Sequence, residues 1–222
     1  MRLFEKIVWW FFLIWASVGI LTLSLGKIRL PDTLIWADAL FLFLAAINIF
    51  LITAKTEGFR ITTIHFFIIT LGSGLIEICG ALTGWPFGHY YYTEQLGWRI
   101  GNILPIAIPL AWWIVIGLGH AFARICFPTL SRFGTALFCA VWAVMFDLLL
   151  EPFAWKVKQY WIWRDNYVPG TNYLAWFLTA FLLCLICPGK KEPVQEKRMR
   201  LTIIASLIGL IFWVGSLKLL SS

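Results

Sequence analysis

Seven apolar runs, each close to the length of a membrane span, constrain this chain more than any motif does. They lie at Val8–Leu25, Thr33–Thr53, Ile61–Leu82, Leu104–Phe127, Phe133–Leu150, Asn172–Cys187 and Leu201–Leu220. A hydrocarbon core of roughly 30 Å takes about 20 helical residues to cross. Inside it every backbone N–H and C=O must find its partner within the protein, which favours helices. The period along the runs is helical or simply apolar, with no strand alternation, low-complexity tract or internal repeat. They predict an all-α fold, a polytopic membrane helix bundle of about seven transmembrane helices, the sixth being the shortest. Composition agrees, because 61% of residues are hydrophobic and only 13% charged, against about 25% charged in soluble proteins. No polar stretch is long enough for a soluble domain. Residues 1–222 therefore read as a single integral membrane domain, multi-pass in the cell membrane.

The first run follows Arg2, Glu5 and Lys6 and carries Ala16-Ser17, so it superficially resembles a signal peptide. Its apolar stretch is long for a cleavable signal, and it is expected to remain as the first span. Lys and Arg then set the orientation. The side shared by the amino terminus and the loops after spans two, four and six carries Arg2, Lys6, Lys55, Arg60, Arg124, Arg132, Lys190, Lys191, Lys197, Arg198 and Arg200. The other side carries Lys27, Arg29, Arg99, Lys156, Lys158, Arg164 and Lys218. Eleven against seven places the amino terminus in the cytoplasm. A membrane surface accounts for the net charge of +7, and nothing asks for nucleic acid.

Cysteine and histidine point to no metal. Cys79, Cys126, Cys139, Cys184 and Cys187 sit within or at the ends of apolar runs, where a thiol packs as a small hydrophobe. The Cys184-Leu-Ile-Cys187 spacing has no second pair to complete a zinc site. His65, His89 and His120 show no HxxxH or HxxE spacing, which argues against a di-iron or histidine cage.

Carboxylates inside spans are costly, on the order of 2.5–3.5 kcal/mol at the centre on insertion scales, and mark function by default. Glu77 lies late in the third span, and Asp147 and Glu151 lie late in the fifth, four residues apart and so on one helix face. In the seven-span topology all three fall in the non-cytosolic half. The loops that follow, Thr83–Ile103 and Pro152–Thr171, emerge on that side and carry Trp85, Phe87, Tyr90, Tyr91, Tyr92, Trp98, Phe153, Trp155, Tyr160, Trp161, Trp163 and Tyr167. Two plainer readings compete. Trp and Tyr belts are ordinary at the headgroup level, and Glu151, near Lys156 and Lys158, also fits an interfacial salt bridge.

An acid in an apolar site holds its proton to higher pH than in water, and aromatic faces attract cations. A proton donor, a cation-stabilising wall and access to the acyl region together suit protonation of an isoprenoid double bond. Ion pathways also use intramembrane carboxylates, so the residues alone leave both options open.

The segments Glu77…Gly84-Trp-Pro-Phe-Gly-His-Tyr-Tyr-Tyr…Gly97…Ile-Pro109-Leu-Ala-Trp112 and Asp147-Leu-Leu-Leu-Glu-Pro152…Trp161-Ile-Trp163…Tyr167-Val-Pro169…Asn172-Tyr-Leu-Ala-Trp176 resemble the two signature regions of the carotenoid biosynthesis protein family. The likeness covers roughly residues 60–185, and the family it points to includes membrane carotenoid 1,2-hydratases. It departs at Gly101-Asn-Ile-Leu-Pro105, where a Gly-Val-Pro turn is expected, and at Gln159-Tyr160 and Tyr167, where glycine is commoner.

The resemblance implies addition of water to the terminal (1,2) double bond of an acyclic ψ-end carotenoid. Glu77 and Asp147 are then the acid and base, with Glu151 a third catalytic carboxylate. Tyr90, Tyr92, Trp161 and Trp163 form the cation-stabilising wall, Trp112 lines the substrate site, and His89 and Asn172 hold water. No cofactor and no metal are expected, since hydration changes no oxidation state. The expected partners are a lipophilic carotenoid substrate and the lipid bilayer, with a homo-oligomer or an assembly with other carotenoid enzymes left open. Rival readings are a carotenoid cyclase of the lycopene type, a membrane transporter or proton relay, and a non-catalytic pigment-binding protein.

Overall fold

The structure is a computed structural model that describes residues 2–26, 34–187, 195–217 and 219. Seven helices account for most of it: α1 (Arg2–Ser24), α2 (Trp36–Glu57), α3 (Phe59–Thr83), α4 (Ala107–Cys126), α5 (Arg132–Glu151), α6 (Gly170–Ile186) and α7 (Gln195–Leu217). They match the seven apolar runs to within a few residues at most ends and give the expected all-α bundle. Six are long and apolar enough to cross a membrane, and α6, with 17 residues, is shorter. Lys27, Arg29, Lys190, Lys191 and Lys218 of the charge count, and the run ends Thr33 and Leu220, lie outside the described residues.

Outward faces of the helices are as apolar as inward ones, as a lipid solvent demands. On α1, Leu3, Ile7, Trp10, Ile14, Val18 and Leu21 recur every three or four residues and are exposed, whereas Val8, Phe12, Ala16 and Leu23 are buried. Hydrophobicity is then no force for assembly, so close packing and hydrogen bonds between helices take over. Gly117 lets α4 approach Ile49 of α2, and Gly119 lets it approach Trp142 and Cys139 of α5. Indole N–H groups tie helix to helix: Trp15 donates to the carbonyl of Ala37 at 3.0 Å, Trp113 to that of Ala46 at 3.2 Å, and Trp142 to that of Val115 at 3.0 Å. Deep in the bundle, Trp112 of α4 stacks on Trp176 of α6 with ring centroids 4.3 Å apart.

Two small antiparallel sheets correct the expectation of no strands. β1 (Tyr90–Tyr92) pairs with β4 (Trp161–Trp163), in register Tyr90 with Trp163 and Tyr92 with Trp161, while β2 (Arg99–Ile100) pairs with β3 (Leu104–Pro105). Burial alternates along β1 and β4 in the way strands require, with Tyr90, Tyr92, Trp161 and Trp163 in and Tyr91 out. Hydropathy cannot alternate there, because five of these six residues are aromatic and the sixth is Ile162. The loop after α3 starts at Gly84, which caps the helix in the left-handed region (φ 78°) that glycine enters without penalty. α5 runs on beyond Glu151 into a π-helical segment, Pro152–Val157, whose first residue has no N–H to donate. Both loops thus fold back over one end of the bundle and zip together there.

Candidate active site

Beneath the β1–β4 ladder lies a cavity of about 250 Å³, walled by parts of all seven helices. Its surface is mostly hydrocarbon and aromatic ring, and three carboxylates break it: Glu77, two turns from the end of α3, Glu151, the last residue of α5, and Asp38, which is paired with Lys158. The lining reaches Val18 of α1 and Leu34, both exposed, so the cavity opens beside α1.

Each carboxylate is held by ring donors. Glu77 accepts from the Tyr90 hydroxyl at 2.8 Å and the Tyr92 hydroxyl at 2.6 Å on Oε2, and from Trp112 Nε1 at 2.8 Å on Oε1. Glu151 accepts from Trp163 Nε1 at 3.1 Å and Trp161 Nε1 at 3.3 Å, both on Oε2. Burial, with Glu77 adding to it, pushes the Tyr90 and Tyr92 phenols well above their usual range, so both remain O–H donors at neutral pH.

The strand register explains how the two groups come to share one space. β1 supplies two of Glu77's donors and β4 supplies both of Glu151's, and pairing Tyr90 with Trp163 and Tyr92 with Trp161 sets the donors ring to ring. Their centroids lie 5.2 Å and 6.3 Å apart. Gly80 completes the arrangement, because a Cβ there would lie 2.5 Å from the Phe87 ring, which packs edge-on against Tyr90.

Of the residues singled out from sequence, Glu77, Glu151, Tyr90, Tyr92, Trp112, Trp161, Trp163 and Asn172 line this cavity. Asp147 and His89 do not. Asp147 is fully buried one turn deeper on α5, where its Oδ2 accepts from Asn172 Nδ2 at 2.6 Å and its Oδ1 has no partner. His89 is exposed, with its ring laid over Gly84 and its carbonyl accepting from the Arg164 N–H at 2.9 Å.

The salt-bridge reading of Glu151 finds no support. Lys158 pairs instead with Asp38 of α2 at 2.7 Å, and Lys156 lies over the Trp155 ring, 3.3 Å from its centroid. That Asp38–Lys158 pair lines the cavity and has no signal in the sequence, where its members stand 120 residues apart. Tyr160 lies beside it, its phenol pushed well above the usual range by burial and by Asp38. Trp176 also lines the cavity, and its place one helical turn after Asn172 was a signal that could have found it.

A family model described as carotenoid biosynthesis protein matches residues 37–221. Bisanhydrobacterioruberin hydratase of Haloarcula japonica is 28% identical over 130 residues, which cover 53% of this chain and 42% of that protein. The chain thus matches under half the length of this relative. No solved structure matches.

Proposed function

This chain belongs to the carotenoid biosynthesis protein family, and from that premise we propose that it hydrates the terminal (1,2) double bond of an acyclic ψ-end carotenoid by acid catalysis. One observation carries the reading: two buried carboxylates, each held by aromatic donors, face a single largely apolar cavity that opens beside α1. A hydratase among its similar proteins points the same way.

In this mechanism the end group enters beside α1. Glu151 is the acid, because both indole N–H groups bind Oε2 and leave Oε1 to carry the proton. It protonates C2 of the double bond, and a tertiary cation forms at C1. The faces of Tyr90, Tyr92, Trp161 and Trp163 stabilise that cation, an attraction that reaches about 2 kcal/mol in a desolvated site. Water held near Asn172 adds to C1, and Glu77, which receives three hydrogen bonds and donates none, accepts the proton released. One water is consumed, no electrons move, and the proton taken up by Glu77 passes back to Glu151 before the next turnover. Asp147 acts from behind, fixing the Asn172 amide. The acid–base pair is therefore Glu77 with Glu151, in place of Glu77 with Asp147.

The deciding experiment is expression in a lycopene-accumulating bacterium with mass spectrometry of the pigments. Gain of one water is expected. An isomer of unchanged mass would mean cyclisation, and unchanged lycopene would remove this substrate from the proposal. The reaction is set in the non-cytosolic half of the membrane, with a cytoplasmic amino terminus. A reporter fused after Arg198 should accordingly face the cytosol and one between Tyr90 and Trp98 should not.

A further inference from the structure

The end of the bundle opposite the cavity gathers soft ligands from three helices. His120 lies near the end of α4, Cys139 two turns into α5 and Cys184 in the last turn of α6. One imidazole nitrogen and the two sulfurs all lie within 4.8 Å of one another. Both thiols are buried, and His120 Nε2 is sealed from solvent without a hydrogen-bond partner. An orphaned buried nitrogen costs about 1–3 kcal/mol unless something binds it.

We propose that His120, Cys139 and Cys184 bind one zinc ion. Donor chemistry selects the metal. Imidazole and thiolate exclude magnesium and calcium, which take oxygen. Two thiolates and a neutral imidazole around Zn²⁺ sum to zero charge, the state a low-dielectric interior tolerates, whereas Cu⁺ in the same shell leaves a net negative charge. Zinc binds sulfur at about 2.3 Å and imidazole nitrogen at about 2.0–2.1 Å, so donors around it stand about 3.5–3.8 Å apart. The three groups reach that spacing by closing in about 1 Å. Binding expels the two thiol protons to solvent and forms two zinc–sulfur bonds. No linear motif announced the site, because the Cys184-Leu-Ile-Cys187 spacing points along one helix while the ligands come from three.

Such an ion would pin α4, α5 and α6 together at one end, with a water in the fourth position that three protein ligands leave. Those helices carry Trp112, Glu151 and Asn172 toward the other, so the role is structural, and the proposal stands apart from the hydration reading. The test loads the full chain, purified in detergent under reducing conditions, with zinc chloride, strips loosely held metal with a weak chelator and measures zinc by mass spectrometry. About one zinc per chain is expected, falling below about a tenth in Cys139→Ala and His120→Ala. Loading wild type with Co²⁺ should produce a thiolate-to-cobalt charge-transfer band in the near ultraviolet, a readout that does not depend on the variants folding. Wild type that retains no zinc, or gives no such band, overturns the proposal. So does a Cys139–Cys184 disulfide found by peptide mass spectrometry in protein kept under the same reducing conditions.

Discussion

The two ends of the bundle use polar groups in opposite ways. At the cavity end, five ring donors turn onto two carboxylates that border one shared space. At the other end, polar atoms join helix to helix beside a pocket of only about 40 Å³: Glu5 of α1 pairs with Lys55 of α2, the Lys197 ammonium of α7 reaches the Thr56 hydroxyl, and Arg132 of α5 donates to the Leu185 carbonyl of α6 at 2.7 Å. Groups around so small a space stabilise contacts. Groups that border a cavity several times larger can act on whatever enters it. The contrast teaches that a buried acid's partners identify its role better than its depth does.

The strongest way to break this contrast is to remove the two ring-held cavity acids in turn. Glu77→Gln and Glu151→Gln should each cut conversion about 10²–10⁴-fold, because an amide keeps the volume and cannot transfer the proton. Pigment mass spectrometry reads the loss, and unchanged membrane yield and detergent melting temperature separate it from misfolding. Near-wild-type turnover in both variants would make the cavity acids structural, like Glu5.

Next in size is Tyr92→Phe, which deletes one of the three donors on Glu77 and leaves the ring in the wall. A hydrogen bond to a charged group is worth about 1.5–3 kcal/mol, so turnover should fall between about 10-fold and 150-fold. Asn172→Ala should lower the melting temperature as well as activity, since it strips Asp147 of the one partner its Oδ2 has here. Stability loss of about 1–3 kcal/mol is expected. If Asn172→Ala melts like wild type, the Asp147–Asn172 contact is not a support. The smallest effect belongs to the far end: Lys55→Met breaks a partly exposed ion pair worth about 1 kcal/mol or less and should leave conversion within about twofold. A larger loss there would erase the distinction between the ends.

The helices were legible because lipid imposes length and apolarity on each span separately, a local rule that sequence obeys locally. The convergence of Glu77, Glu151 and the aromatic loops was legible too, since three features on one side of a membrane have little room to stay apart. What escaped notice depends on contacts between distant segments. The β1–β4 register was hidden because Tyr-Tyr-Tyr and Trp-Ile-Trp alternate in burial and not in hydropathy. Spacing of four put Asp147 and Glu151 on one face of α5, yet α6 covers the first with Asn172 and the cavity reaches only the second. Asp38–Lys158 and the His120, Cys139 and Cys184 cluster likewise arise only when separate helices meet.

The cavity wall has two kinds of surface, and they should evolve at different rates. Tyr90, Tyr92, Trp112, Trp161 and Trp163 coat the space and also hold a carboxylate, so a change to any of them alters chemistry together with shape. Val18 and Gly19 of α1, Phe41 of α2, and Ile208 and Ile211 of α7 coat the same space with no tie to either acid, and a methyl group added at Gly19 would meet nothing within 4 Å. Selection for a bulkier or shorter end group can therefore work through α1, α2 and α7 one residue at a time. The ladder side has to be inherited as a set.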